Sequence, residues 1–267
     1  MKTSPLISVI MPVFNSAKFI KESIKSILSQ TYTKFELIII NDGSTDNTIK
    51  IISQFRDSRI IISSNKQRLG VAKSLNIGLK VARGTFIARM DADDISLPQR
   101  FEKQVTLLLQ NPQVGVVGTN VELINESGKK IRHRKVNIYL DVERALTYCN
   151  PIFHSSVLFH RNLIKRYGIY DENLNGAEDY DLWLRFSRHA KIINLPKTLL
   201  YYRVHAQGIS FRNLQKIQIS FLKTQLKSIF TYHYAPWRII FTIKPFIMIL
   251  LPNFLKRWIY RKVYAYT

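Results

Sequence analysis

The 267-residue chain has a single cysteine, Cys149, so it forms no internal disulfide, and this favours a reducing compartment such as the cytosol. A small buried apolar side chain is the ordinary role of such a residue, ahead of a nucleophile. Acids are missing from the last third. All eighteen Asp and Glu lie at or before Asp181, so residues 1–181, with 25 basic residues, carry +7, while residues 182–267, with 15, carry +15 of the total +22. Long apolar runs are missing too: in the C-terminal region the unbroken run is Phe246–Leu251, between Pro245 and Pro252, well short of the roughly 18 residues of a spanning helix. Met1-Lys2-Thr3-Ser4-Pro5 leads into a strand-like segment with no apolar signal region or small-residue cleavage site, so export is not expected. No G-x-x-x-x-G-K phosphate loop, zinc-type Cys/His spacing, internal repeat or low-complexity linker occurs.

What is present is a chain that can fold: 46% hydrophobic residues supply a core and exclude a disordered protein. Residues 6–119 alternate short β-rich runs with helical stretches, the pattern of a parallel α/β sheet with crossovers. Strands are expected at Leu6–Met11, Glu36–Asn41, Arg59–Ser63, Thr85–Met90 and Val114–Leu123. Helices are expected at Ala17–Gln30, from the Asp42–Asp46 turn through Phe55, at Val71–Ala82 and at Pro98–Gln110. A turn at Asn125–Gly128 opens a basic stretch from Lys129 to Lys135. The chain to about residue 210 reads as one nucleotide-binding α/β domain.

Beyond it the character changes. Residues 211–267 interleave Leu, Ile and Phe with Lys and Arg, and twelve of the 31 aromatics fall between Phe221 and Tyr266, too many for a solvated tail. A basic helical segment lying in the headgroup region of an anionic membrane fits, aromatic face down and Lys/Arg outward.

Ligands of open α/β sheets bind beyond the carboxyl ends of strands, and three such ends are loaded here. They are Met11–Asn15, Asn41–Asp46 and Met90-Asp91-Ala92-Asp93-Asp94. Three carboxylates in four residues repel one another, and oxygen-liganded Mg²⁺ or Mn²⁺ bridging the phosphates of a nucleotide would relieve that. The same residues also read as an acidic box before the Pro98–Gln110 helix, with Asp94 as its cap. Asp42-Gly43-Ser44 reads as a turn with Ser44 capping the next helix, or as a carboxylate holding a base or ribose. Arg68 offers a clamp for a nucleotide or a solvated cation. In Gly176-Ala177-Glu178-Asp179-Tyr180-Asp181, Asp179 sits in a helical first turn, where the dipole favours its ionised form, as a base for a hydroxyl requires; a plain acidic helix start is the alternative. His205 is a nitrogen ligand for the metal or a surface histidine, and His154-Ser155 completes the candidates.

Ser8–Asn15, Glu36–Asp46, Met90–Asp94 and Glu178-Asp179, in this order, resemble the family 2 inverting glycosyltransferases of GT-A fold over roughly residues 5–208. The resemblance implies a Rossmann-like mixed sheet flanked by helices. By it, Pro12, Val13 and Asn15 line the nucleoside pocket, Asp42 contacts the base with Ser44 in the same loop, and Asp91 sits by the ribose. Asp93 binds the metal, His205 is a further ligand, and Arg68 and His154 contact the nucleotide or diphosphate. Asp179 matches the catalytic base, with Glu178 beside it. The implied reaction is metal-assisted hexosyl or N-acetylhexosaminyl transfer from a nucleotide sugar, expected to be a UDP-sugar. The acceptor is expected to be a lipid-linked or cell-surface glycan, and the enzyme to be cytoplasmic and peripheral on the inner membrane face. Other classes make different predictions: a nucleotidyltransferase would release pyrophosphate, a nucleic-acid-binding protein would shift oligonucleotides salt-sensitively, and a non-catalytic membrane adaptor leaves the acidic clusters unexplained.

Overall fold

The computed structural model describes residues 4–134, 142–174, 176–205, 214–252, 254–256 and 258–259. Its first half is built from apolar runs that need cover on both faces. β1 (Ile7–Val13), β2 (Phe35–Asn41), β3 (Ile60–Ser64) and β4 (Phe86–Arg89) lie parallel in the order β3-β2-β1-β4. They are connected by α1 (Ile20–Leu28), α2 (Thr48–Ile52) and α3 (Val71–Val81). The two-residue strand period sorts the core. Ile7, Val9, Met11 and Val13 share one side with Ile20, Ile24 and Ile27 of α1, whereas Ile10, Ile38 and Ile40 share the other with Leu75 and Leu79 of α3.

β1 separates from β4 just where the sheet is needed open. Their pairing stops at Ile10 with Arg89, and Ile10 O accepts the Met90 amide at 3.1 Å. By the two-residue period the backbone of Pro12 faces the same, now vacant, side, so a residue with no N–H costs no ladder bond in an interior strand. The loops after β1, β2 and β4 leave the sheet at this same carboxyl edge.

The second half turns antiparallel. After β5 (Ile95–Ser96) and α4 (Arg100–Gln110) come β6 (Val114–Ile124), β7 (Lys130–Arg134) and the short α5 (Val142–Ala145). A single 3₁₀ turn at His154–Ser156 precedes β8 (Leu158–His160), which runs antiparallel between β4 and β6. α6 (Arg161–Tyr167) and α7 (Glu178–Ser187) lead into β9 (Lys191–Arg203), parallel to β6 and antiparallel to β5. Among the described residues the sheet has nine strands, mixed and flanked by helices as expected. Several expected elements are longer in the sequence pattern than in the molecule: α1 spans only Ile20–Leu28, α2 stops at Ile52 before Phe55, α3 stops at Val81, the strand expected at Thr85–Met90 is Phe86–Arg89, and the helix expected from Pro98 begins at Arg100.

The basic segment divides in two. α8 (Leu214–Phe230) packs on α7, with Thr224 and Gln225 buried and Phe221 stacked on Tyr180 at 4.4 Å between ring centroids. Phe221 is therefore occupied inside the protein, contrary to an aromatic face turned to lipid along the whole segment. A 3₁₀ stretch, Pro236–Thr242, and α9 (Ile243–Leu250) follow. In α9 four apolar side chains, Ile243, Phe246, Ile247 and Leu250, are each 50–70% exposed at helical spacing, and Lys244 is exposed among them. Among the described residues no helix is long and apolar enough to cross a membrane. The expected boundary at 210/211, Lys135 of the basic stretch and the chain beyond 259 lie outside the described residues.

Candidate active site

The loops after β1 and β2 are tied to each other by their polar side chains. Asn15, at φ +47°, donates its amide to Ser44 Oγ (3.0 Å) and accepts the Thr45 amide at Oδ1 (2.8 Å). Ser44 therefore caps no helix; α2 begins after Asn47, with Asp46 accepting the Thr48 amide at 3.0 Å. Asp42, 4% exposed, accepts from Asn65 Nδ2 (2.9 Å) and from the amides of Leu69 and Gly70 (2.8 Å each), which folds residues 65–70 against the β2 end. Gly43 permits that approach, since a Cβ there would lie 2.9 Å from the Gln67 carbonyl carbon. Arg68 stacks its guanidinium 4.2 Å from the Phe14 ring centroid, beside Asn15. Pro12 and Val13 are buried; the Val13 side chain belongs to the core and its carbonyl accepts the Asp42 amide, so Val13 shapes this edge and presents no side chain to a ligand.

Next to these loops lies an open cleft of about 260 Å³ whose wall contains Arg89, Asp91, Asp93, His154, Glu178, Asp179, Arg203 and His205. Every expected catalytic and metal residue is thus at one cleft, together with Asp91 and His154. Pro12, Val13, Asn15, Asp42, Ser44 and Arg68 are not among its lining residues.

The acidic loop after β4 is packed among cations. Asp91 pairs with the buried guanidinium of Arg89, and its amide donates to Ser155 Oγ at 2.9 Å. Asp93 Oδ2 lies 2.7 Å from His205 Nε2, and the imidazole rests on Phe19. Asp94 is fully buried and accepts the Arg203 amide at 2.8 Å, pinning the end of β9 to the loop and so delivering His205 to Asp93. Asp94 is no helix cap, for the N-cap position of α4 is Gln99. Burial and the neighbouring Asp93 charge push the Asp94 carboxyl well up; burial also raises Asp91, against the pull of Arg89.

A divalent cation fits this donor set. Carboxylate oxygens of Asp91, Asp93 and Asp94 lie within 4.8 Å of one another, a concentration of charge that burial makes costly without a cation. Asp93 and His205 already face each other at 2.7 Å, and Asp94 Oδ2 is buried with no hydrogen-bond partner, so an ion here would draw on the Asp93 carboxylate and the His205 imidazole, with hard carboxylate oxygens suiting Mn²⁺ or Mg²⁺.

The second carboxylate pair has neutral partners. α7 starts at Glu178, and Glu178 Oε2 accepts the Gly176 amide at 2.6 Å. Asp179 accepts from Asn150 Nδ2 and from the Tyr180 amide, both at 2.7 Å. Burial lifts Asp179 to about 6 despite these donors, and burial plus the Asp179 charge lift Glu178 to about 7. The expectation that the helix dipole keeps Asp179 readily ionised is corrected: desolvation outweighs the dipole here. Such a carboxylate, titrating near neutrality, accepts a proton more readily than an ordinary one. His154, bonded to Tyr170 Oη at 2.9 Å, is pushed well down by burial and by Arg89, so it stays neutral.

Sequence reasoning passed over Arg89 and Asn150. Arg89 directly precedes Met90-Asp91, and an arginine within an apolar strand is a signal that a buried carboxylate is near. Asn150 has no such signal, as only the fold brings it to Asp179.

The fold is shared with solved structures. TarS residues 1–349 of S. aureus, in complex with UDP-GlcNAc, superpose with a TM-score of 0.71 at 20% identity over 97% of this chain and 76% of that one. The mannosyltransferase PcManGT of Pyrobaculum calidifontis, in complex with GDP-Man and Mn²⁺, gives 0.65 at 22% over 99% and 81%. The fold is GT-A. A sequence profile of Glycosyl transferase family 2 matches residues 8–174. The O-antigen biosynthesis glycosyltransferase WbnJ of Escherichia coli is 38% identical over 209 residues, 75% of this chain and 80% of that protein. An uncharacterized glycosyltransferase of Haemophilus influenzae is 37% identical over 222 residues, 79% of this chain and 69% of that protein. The chain belongs to glycosyl transferase family 2.

Proposed function

We propose that the enzyme transfers a sugar from a nucleotide-sugar donor to an acceptor hydroxyl in a single, inverting displacement, with Asp179 as the base. The observation that carries this reading is one cleft lined by two sets of carboxylates: Asp91 beside the Arg89 guanidinium and Asp93 beside the His205 imidazole, and Asp179 held by the Asn150 side chain and the Tyr180 amide. The Asp179 carboxylate takes the acceptor hydroxyl proton, the acceptor oxygen bonds to the anomeric carbon, and the bond from that carbon to the diphosphate oxygen breaks. Asn150 holds the Asp179 carboxylate in place through one of its oxygens. Asp93 and His205 would hold a Mn²⁺ or Mg²⁺ ion, which supplies positive charge against the leaving diphosphate. The loops carrying Asn15, Asp42, Ser44 and Arg68 would receive the nucleoside.

The donor tested first is a UDP-sugar, with hexosyl or N-acetylhexosaminyl transfer expected, and the acceptor a lipid-linked or cell-surface glycan; the name of the O-antigen relative supports that acceptor class. The deciding experiment incubates the full-length protein with a panel of nucleotide sugars and Mn²⁺ or Mg²⁺ and measures nucleoside diphosphate release against a metal-free control. Release that Asp179→Asn abolishes is expected; pyrophosphate release would instead indicate nucleotidyl transfer.

The exposed stripe Ile243, Phe246, Ile247 and Leu250 supports seating on the anionic inner face of a membrane, since no acid follows Asp181 to oppose the approach. Replacing Phe246 and Leu250 together with Glu should release the protein from vesicles containing anionic lipid in a flotation assay. Undiminished flotation would remove this membrane assignment.

A further inference from the structure

α7 presents its first turn to two places at once. Glu178 and Asp179 line the cleft, while Tyr180 and Asp181, next in sequence, are buried against the C-terminal segment. The Asp181 carboxylate is fully buried and receives three donors: Arg185 Nε of its own helix (3.0 Å), Tyr232 Oη (2.6 Å) and Lys227 Nζ (3.2 Å). Lys227 also bonds Asp171 at 2.9 Å, so one ammonium on α8 joins the start of α7 to the chain that precedes it. Two further contacts lock the same turn. Phe221 stacks on Tyr180, with planes 9° apart, and Gly176, whose amide holds Glu178, is so close to α8 that a Cβ there would lie 2.7 Å from Ile217 Cγ1. The α8 side of every one of these contacts lies beyond residue 174, where the match to the family profile ends; of their partners only Asp171 lies within it.

We propose that α8 is a working part of the active site, with Lys227 a positioning residue that, through Asp181 and Asp171, fixes the helix turn carrying Asp179. Without Lys227 the buried Asp181 carboxylate keeps Arg185 of its own helix but loses the charge that ties it to α8 and, through Asp171, to the preceding chain, and any resulting shift of Asp181 carries Asp179, two residues away, with it. Displacement of a base by about 1 Å is enough to cost up to a hundredfold in rate. The inference rests on the reading of Asp179 as base, and the test separates the two.

Kinetics of full-length Lys227→Met, Lys227→Arg and Tyr232→Phe are compared with Leu79→Ala, a core truncation in α3, using the donor that turns over in the panel above. Lys227→Met should lower kcat by about tenfold or more with the donor KM within about twofold, Lys227→Arg should restore most of it, and Tyr232→Phe should cost a few-fold. Loss in Lys227→Met no greater than in a Leu79→Ala protein of equal melting temperature, or a change in KM alone, overturns the proposal. Should Lys227→Met fail to fold, unchanged kcat in Tyr232→Phe overturns it equally. Turnover retained by Asp179→Asn strikes instead at the base assignment, whatever Lys227 does.

Discussion

Two acidic clusters line one cleft and are handled in opposite ways. Asp91, Asp93 and Asp94 sit among Arg89, His205 and the end of β9, whereas Glu178 and Asp179 are given only amides and the Asn150 side chain. Burial raises carboxyls in both clusters, so burial is not what distinguishes them. The partners are. Arg89 pairs directly with Asp91 and pulls its carboxyl down against burial, while Asp179, bonded to neutral donors, titrates near neutral pH. Identical side chains are thereby divided between holding charge and moving protons.

The comparison can be broken most sharply at Asp179. Asp179→Asn keeps the size and the Tyr180 contact but removes the proton acceptor, and transfer should fall by about a thousandfold or more, with nucleotide binding measured by calorimetry little changed. At the other cluster, Asp93→Ala should weaken Mn²⁺ binding by about ten- to a hundredfold, read by titration with UDP present, and Asp179→Asn should not.

A finer test concerns the coupling inside the second pair. Its titration belongs to the pair, so the acidic limb of the pH–rate profile should lie between about 6 and 7 in the parent enzyme. Glu178→Gln removes the neighbouring charge, and the limb should move toward lower pH; an unmoved limb would show that the two carboxyls do not interact. The smallest effect is on stability. Both carboxyls hold protons in the folded state that the unfolded chain has released, so stability should fall as pH rises from about 4 through about 7. The contribution is about 1.4 kcal/mol per unit by which a folded value exceeds its unfolded one, and Glu178→Gln should flatten the slope in urea melts.

Much of this was legible in the chain. The parallel half could be read because β1 and β2 are largely apolar on both faces and the ends of β1, β2 and β4 carry Asn15, Asp42 and Asp91–Asp94 in loops that a parallel sheet must bring to one edge. β9 could not, for Pro196 and Lys197 interrupt its pattern and its long partner β6 supplies the pairing. β5 is two residues held by β9 and has no local signal at all. The spacing of α8 resembles a lipid-facing helix, yet Phe221 meets Tyr180 and Lys227 meets Asp171 and Asp181, contacts between residues about forty to fifty-five positions apart that no local pattern encodes. The ionisation of Asp179 was misjudged for the same reason: a helix start is visible in sequence, but the burial that opposes it is tertiary.

The three hydrogen bonds that Asp42 already accepts from Asn65, Leu69 and Gly70 bear on how a nucleoside would be received. A base that takes a bond from this carboxylate meets an acceptor in use, so it either finds a remaining lone pair or displaces the 65–70 loop. In the second case the measured affinity is a difference between two sets of bonds, and loosening that loop would tighten or weaken donor binding without touching the donor itself.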